Sequence, residues 1–150
     1  ANIKALLKSG APVCTIFGKT WTLHVKDVLL TTLEDNLRII EQSVAYLRSQ
    51  NRRVIYDAEH FFDGYKADSA YAIETLKAAM RGGAETLVLC DTNGGTMPWE
   101  VETIIRDMKP AILGLDTASP LDHRLASPPS LDHHPFGIHT HNDGDCAVVN

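Results

Sequence analysis

The chain has 150 residues, enough for one domain with a core of its own. Hydrophobic residues make up 44% and charged residues 22%, an ordinary globular balance, and no apolar run approaches the ~20 residues needed to span a bilayer. A net charge of -5 with no Lys/Arg cluster argues against nucleic acid or an anionic membrane as partner.

In chain order, Asn2 to Lys8 reads as the tail of a helix ended by Ser9-Gly10. Pro12 to Phe17 is a β-branched run closed by Gly18 and reads as a strand. Thr20 to Val28 is ambiguous: Trp21, Leu23 and Val25 alternate, but His24, Lys26 and Asp27 suit a loop or a helix entry. Thr32 suits a helix cap with Asp35 three residues on, and Leu33, Leu37, Ile39, Ile40, Val44 and Leu47 fit a helical face running to about Ser49. Arg53 to Asp57 is a second short strand, followed by Ala58 to Gly64 as a connection. Asp68 or Ser69 caps a helix carrying Ala72, Ile73, Leu76, Ala79 and Met80, and Gly82-Gly83 ends it. Thr86 to Cys90 is continuously apolar, as parallel strands buried on both faces are. Pro98 suits the first turn of a helix with Val101, Ile104, Ile105 and Met108 inward and Pro110 as its stop. Phe136 to His139 is the last strand.

Strand and helix alternate throughout, the βαβ rhythm of a parallel sheet. The expected class is α/β: a partial (β/α)8 TIM barrel of about four parallel strands, with an open sheet as the alternative. Neither GxGxxG nor GxxxxGKS/T occurs, so no nucleotide fingerprint supports the open sheet. Residues 1–150 then form one partial catalytic barrel domain with an irregular insertion at about 111–134. That stretch holds Pro120, Pro128 and Pro129 and a small echo, Leu121-Asp122-His123-Arg124 and Leu131-Asp132-His133-His134. It reads as a flexible connection away from the chemistry, longer than helix-to-strand links usually are.

The chemistry gathers where strands end. His139 and His141 are two apart, so an extended strand turns both imidazoles to one face. A bare His-x-His is more often a surface patch than a site, because two ligands do not close a metal centre. Here, however, Glu59 follows one strand, Asp91-Thr92-Asn93 another, and the histidines a third. In a barrel those positions converge on the catalytic rim. Each also has a structural explanation: Asp91 to Gly95 is turn chemistry, and Glu59 could pair with Lys66 or Arg53. Together they suit a divalent ion acting as Lewis acid on a carbonyl, with Thr92 bonding a carboxylate. Cys14, Cys90 and Cys146 are an odd number in apolar surroundings with no Cys-x-x-Cys, which predicts buried thiols in a reducing compartment and no cysteine zinc site. No secretory signal is visible, so a cytoplasmic protein is expected; the chain starts at Ala1 and stops just inside an apolar run, so a fragment of a longer one is expected too.

Three stretches carry a resemblance. Tyr56 to Lys66 (YDAEHFFDGYK), Leu89 to Pro98 (LCDTNGGTMP) and Gly137 to Asp143 (GIHTHND) together resemble the 2-isopropylmalate and homocitrate synthase family, and the first two point to its citramalate branch. The resemblance implies a TIM barrel that condenses acetyl-CoA with a 2-oxo acid, pyruvate favoured, in branched-chain amino-acid (isoleucine) biosynthesis. It implies His139 and His141 as ligands of a divalent metal (Mn2+, Mg2+, Zn2+ or Co2+), Glu59 as a catalytic residue, Thr92 as the binder of the substrate carboxylate, and a homodimer in the full-length protein. The family's first strand carries an arginine and a metal-binding aspartate that nothing in this chain matches. The isolated chain is therefore expected not to catalyse the condensation. A 2-isopropylmalate or homocitrate synthase-type enzyme, a metal-dependent carbon–carbon lyase and a non-catalytic truncated relative are the alternatives.

Overall fold

The alternation read from the sequence is present in a computed structural model that describes residues 2–114 and 136–142. The elements are α1 (Asn2–Lys8), β1 (Val13–Lys19), α2 (Thr22–Asp27), α3 (Leu33–Ser49), β2 (Arg53–Glu59), α4 (Phe61–Ala67), α5 (Ser69–Gly82), β3 (Thr86–Asp91), α6 (Pro98–Leu113) and β4 (Phe136–Thr140). The strands form one sheet in the order β1-β2-β3-β4, every neighbour parallel. The register lines Phe17, Asp57, Val88 and Gly137 up in one row across the sheet.

Alternation divides the residues of each strand between two faces. Cys14, Val54, Tyr56, Ala58, Leu87 and Leu89 face the helices and are buried. They share one core with Ile40, Val44 and Leu47 of α3, Leu76 and Ala79 of α5, and Val101, Ile104 and Met108 of α6. Full burial of one such aliphatic side chain is worth about 1.5–3 kcal/mol. Helices α3 and α5 approach closely because Gly82 has no side chain: a Cβ there would lie 2.6 Å from the Glu41 carbonyl oxygen and 2.8 Å from Val44 Cβ.

The caps form as their residue types predict. The Thr32 hydroxyl accepts from the Asp35 N–H at 3.0 Å, and Asp68 Oδ1 accepts from the Tyr71 N–H at 3.0 Å. Gly83, at φ 95°, takes the left-handed turn that ends α5.

Three segments differ from expectation or resolve an ambiguity. The uncertain stretch after Thr20 contains a short helix, α2. The connection after β2 is helix α4, although Asp63-Gly64 looks like a turn. Burial of both Phe61 and Phe62 holds it in place. Pro110 does not stop α6: the helix continues to Leu113 and ends at Gly114, at φ 66°. A proline there costs one N–H donor and crowds the carbonyl of the preceding turn, but Met108 and Ile112, buried on either side, keep the last turn on the core. Residues 111–113 therefore belong to α6 and not to an insertion; the stretch from 115, with its Leu-Asp-His echo, lies outside the described residues. Cys14 and Cys90 are free and buried, and Cys146 lies outside the described residues. Among the described residues no helix is long and apolar enough to cross a membrane.

Candidate active site

The other face of the sheet carries the polar groups. At the C-terminal ends of the four strands a cavity of about 210 Å³ is lined by Phe17, Asp57, Glu59, Cys90, Thr92, His139 and His141. The four residues singled out from sequence, Glu59, Thr92, His139 and His141, all reach it. Strand period explains the set: 57 and 59, 90 and 92, and 139 and 141 are each two apart.

Glu59 is the last residue of β2. Its partner is neither Lys66 nor Arg53, which pair with Glu100 and Glu85. It pairs instead with Lys19, its row neighbour on β1, at 2.6 Å. That contact is an ion pair without hydrogen-bond alignment, for Glu59 Oε2 is a buried atom with no well-directed donor among the described residues.

Thr92 sits just past β3. Its hydroxyl accepts the His60 N–H at 2.8 Å and donates to Cys90 Sγ at 3.2 Å. His60 reaches that position through a left-handed backbone, φ 56°. Its ring, beside Trp21 and His24, contacts Asp63 Oδ2 at 3.1 Å, and Asn93 donates to the same oxygen at 2.9 Å. Burial first, then the neighbouring His60 and Lys19, lower the pKa of His24. This cluster ties the end of β2 to the loop after β3. Asp91 is buried and turned away from the cavity; its carboxylate accepts from the Thr96 N–H and hydroxyl. Asp91 and Asn93 thus shape the turn, as expected.

His139 faces Cys90 across the β3–β4 register. The His139 and His141 rings lie 4.9 Å apart, centroid to centroid, inclined by 30°. The His141 N–H donates to the Asp91 carbonyl at 3.3 Å, and His139 Nδ1 is 2.8 Å from Asp57 Oδ2. Burial pushes the Cys90 thiol pKa up, and Asp57, Glu59 and Asp91 act in the same direction, against the Thr92 hydrogen bond.

Ligand atoms of Cys90, His139 and His141 lie within 4.8 Å of one another. Two imidazoles and a sulfur form a donor set that borderline divalent ions accept. Cross-strand pairing brings Cys90 beside the two imidazoles without Cys-x-x-Cys spacing, a proximity the sequence reading did not anticipate. Asp57 and Lys19 also escape the sequence reading. Their position two residues before Glu59, or beside it on β1, was the available signal.

A parallel sheet in sequential strand order with a polar rim at its strand ends is the arrangement of part of a TIM barrel. The chain belongs to the HMGL-like family, whose model matches residues 1–150. It is 49% identical to the (R)-citramalate synthase of Geobacter sulfurreducens over 149 residues, 99% of this chain and 24% of that protein. It is also 49% identical to the (R)-citramalate synthase of Synechocystis sp. over 148 residues, 99% of this chain and 25% of that protein. The chain thus spans about a quarter of the length of these relatives. Among solved structures, the HMG-CoA lyase of Bacillus subtilis superposes with a TM-score of 0.72 at 20% identity, over 99% of this chain and 44% of that one. That likeness concerns the fold.

Proposed function

We propose that this chain is the central barrel segment of an acyltransferase that condenses acetyl-CoA with pyruvate to form citramalate, acting as a homodimer. The observation that carries this reading is the convergence of Glu59, Thr92, His139 and His141 on one cavity at the strand ends. His139 and His141, with Cys90 beside them, would hold a divalent ion. When bound, that ion supplies Lewis acidity to the 2-oxo group of the substrate. Thr92 turns its O–H from Cys90 to the substrate carboxylate, while the His60 N–H keeps its oxygen in place. Glu59, held by Lys19, handles a proton of the condensation. In that reaction the acetyl methyl carbon loses a proton and bonds to the ketone carbon, the ketone oxygen gains a proton, and water then cleaves the thioester to release CoA. The likeness to (R)-citramalate synthases supports pyruvate as the 2-oxo acid.

The protein carrying this chain, given acetyl-CoA, a thiol reagent and a series of 2-oxo acids, should release CoA fastest with pyruvate. Chelation should abolish the release, and Mn2+ or Co2+ should restore it. A preference for a larger 2-oxo acid, or release that ignores the chelator, would overturn the reading.

A further inference from the structure

We infer that Asp57 is the positioning residue for His139: it holds Nδ1 as the N–H and leaves Nε2 for the ion. The purpose assigned to Asp57 rests on the metal site proposed above; the hydrogen bond and the tautomer do not.

The geometry is specific. Asp57 and His139 stand on strands separated by β3, yet Oδ2 and Nδ1 are 2.8 Å apart. Gly137 occupies the β4 position in the Asp57 row, where an added Cβ would lie 3.2 Å from Val88 Cγ2. The two partners are unequally fixed. The Asp57 side chain is 17% exposed and packed, whereas that of His139 is 48% exposed and needs a contact to settle its ring. Asp57 Oδ1 is buried without a hydrogen-bond partner among the described residues, so His139 is the donor its carboxylate has. A carboxylate only accepts, which assigns the hydrogen to Nδ1. The Nε2 lone pair is then free, the arrangement in which a carboxylate orients a ligating histidine.

Direct ligation by Asp57 is the rival, and two substitutions separate the readings. Asp57→Asn keeps an acceptor oxygen for the Nδ1–H; Asp57→Ala removes it. In the metal-free full chain labelled with 15N-histidine, at a pH where imidazole is neutral, long-range 1H–15N spectra should show His139 as the Nδ1–H tautomer in the wild type and in Asp57→Asn. In Asp57→Ala it should revert toward the Nε2–H form that free imidazole prefers. Co2+ affinity, read by titration, should fall about 10–100-fold in Asp57→Ala and stay within a few-fold of wild type in Asp57→Asn. An Nε2–H tautomer in the wild type, a tautomer unmoved by Asp57→Ala, or equal loss of Co2+ in both variants overturns the inference while leaving the metal reading intact. A wild type that does not bind Co2+ sinks the metal reading itself, and with it the purpose assigned to Asp57.

Discussion

The two faces of the sheet are made by the same strands and obey opposite rules. On the helix side, Val54, Tyr56, Ala58, Leu87 and Leu89 are sealed against α3, α5 and α6. On the cavity side, the alternate positions are Asp57, Glu59, Cys90, Thr92, His139 and His141. Two of their polar atoms are incompletely partnered among the described residues: Asp57 Oδ1 has no hydrogen bond there, and Glu59 Oε2 has only its ion pair. Buried polar atoms without full partners destabilise a fold. One face therefore supplies stability that the other partly gives up, and a single residue of shift along a strand exchanges the two roles.

That division can be broken by substitution. The largest effect should come from the cavity side. Glu59→Gln in the whole protein should lower turnover about 10²–10⁴-fold, the usual worth of acid–base assistance, while chemical unfolding shows less than about 1 kcal/mol lost with the Lys19 pair. A turnover within a few-fold of wild type removes Glu59 from the chemistry. Next in size is Leu89→Ala on the sealed side. It should reduce unfolding free energy by about 2–5 kcal/mol in a denaturant titration, the range for a cavity in a packed core. A loss below 1 kcal/mol would mean that the face is not a shared core. The smallest effect should be Gly82→Ala, about 1–3 kcal/mol of overpacking between α3 and α5, read as a lower melting temperature. A neutral result would show that the two helices can separate freely.

Much of this organisation was legible along the chain. The β-branched and apolar runs at Val13, Val54 and Leu87 are strands, and Thr32 and Asp68 cap the helices their spacing announced. Glu59, Thr92 and the paired imidazoles could be expected at one rim because each follows a strand. What escaped depends on contacts remote in sequence. Helix α4 is held by the burial of Phe61 and Phe62, which local propensity around Asp63-Gly64 does not report. Cys90 joins the imidazoles only through its pairing with His139, and Asp57 meets His139 across an intervening strand, 82 positions away in the chain. Pro110 misleads because a missing N–H and a crowded carbonyl weigh less than two buried apolar neighbours.

Asp91 is a small knot with a mechanical role. Its carbonyl receives the chain entering His141, and its carboxylate grips the start of the next segment at Thr96. Thr92 begins the turn between those two anchors. The turn that carries Thr92 and the backbone of His141 thus hang from one buried residue, so a change at Asp91 would disturb both sides of the rim at once.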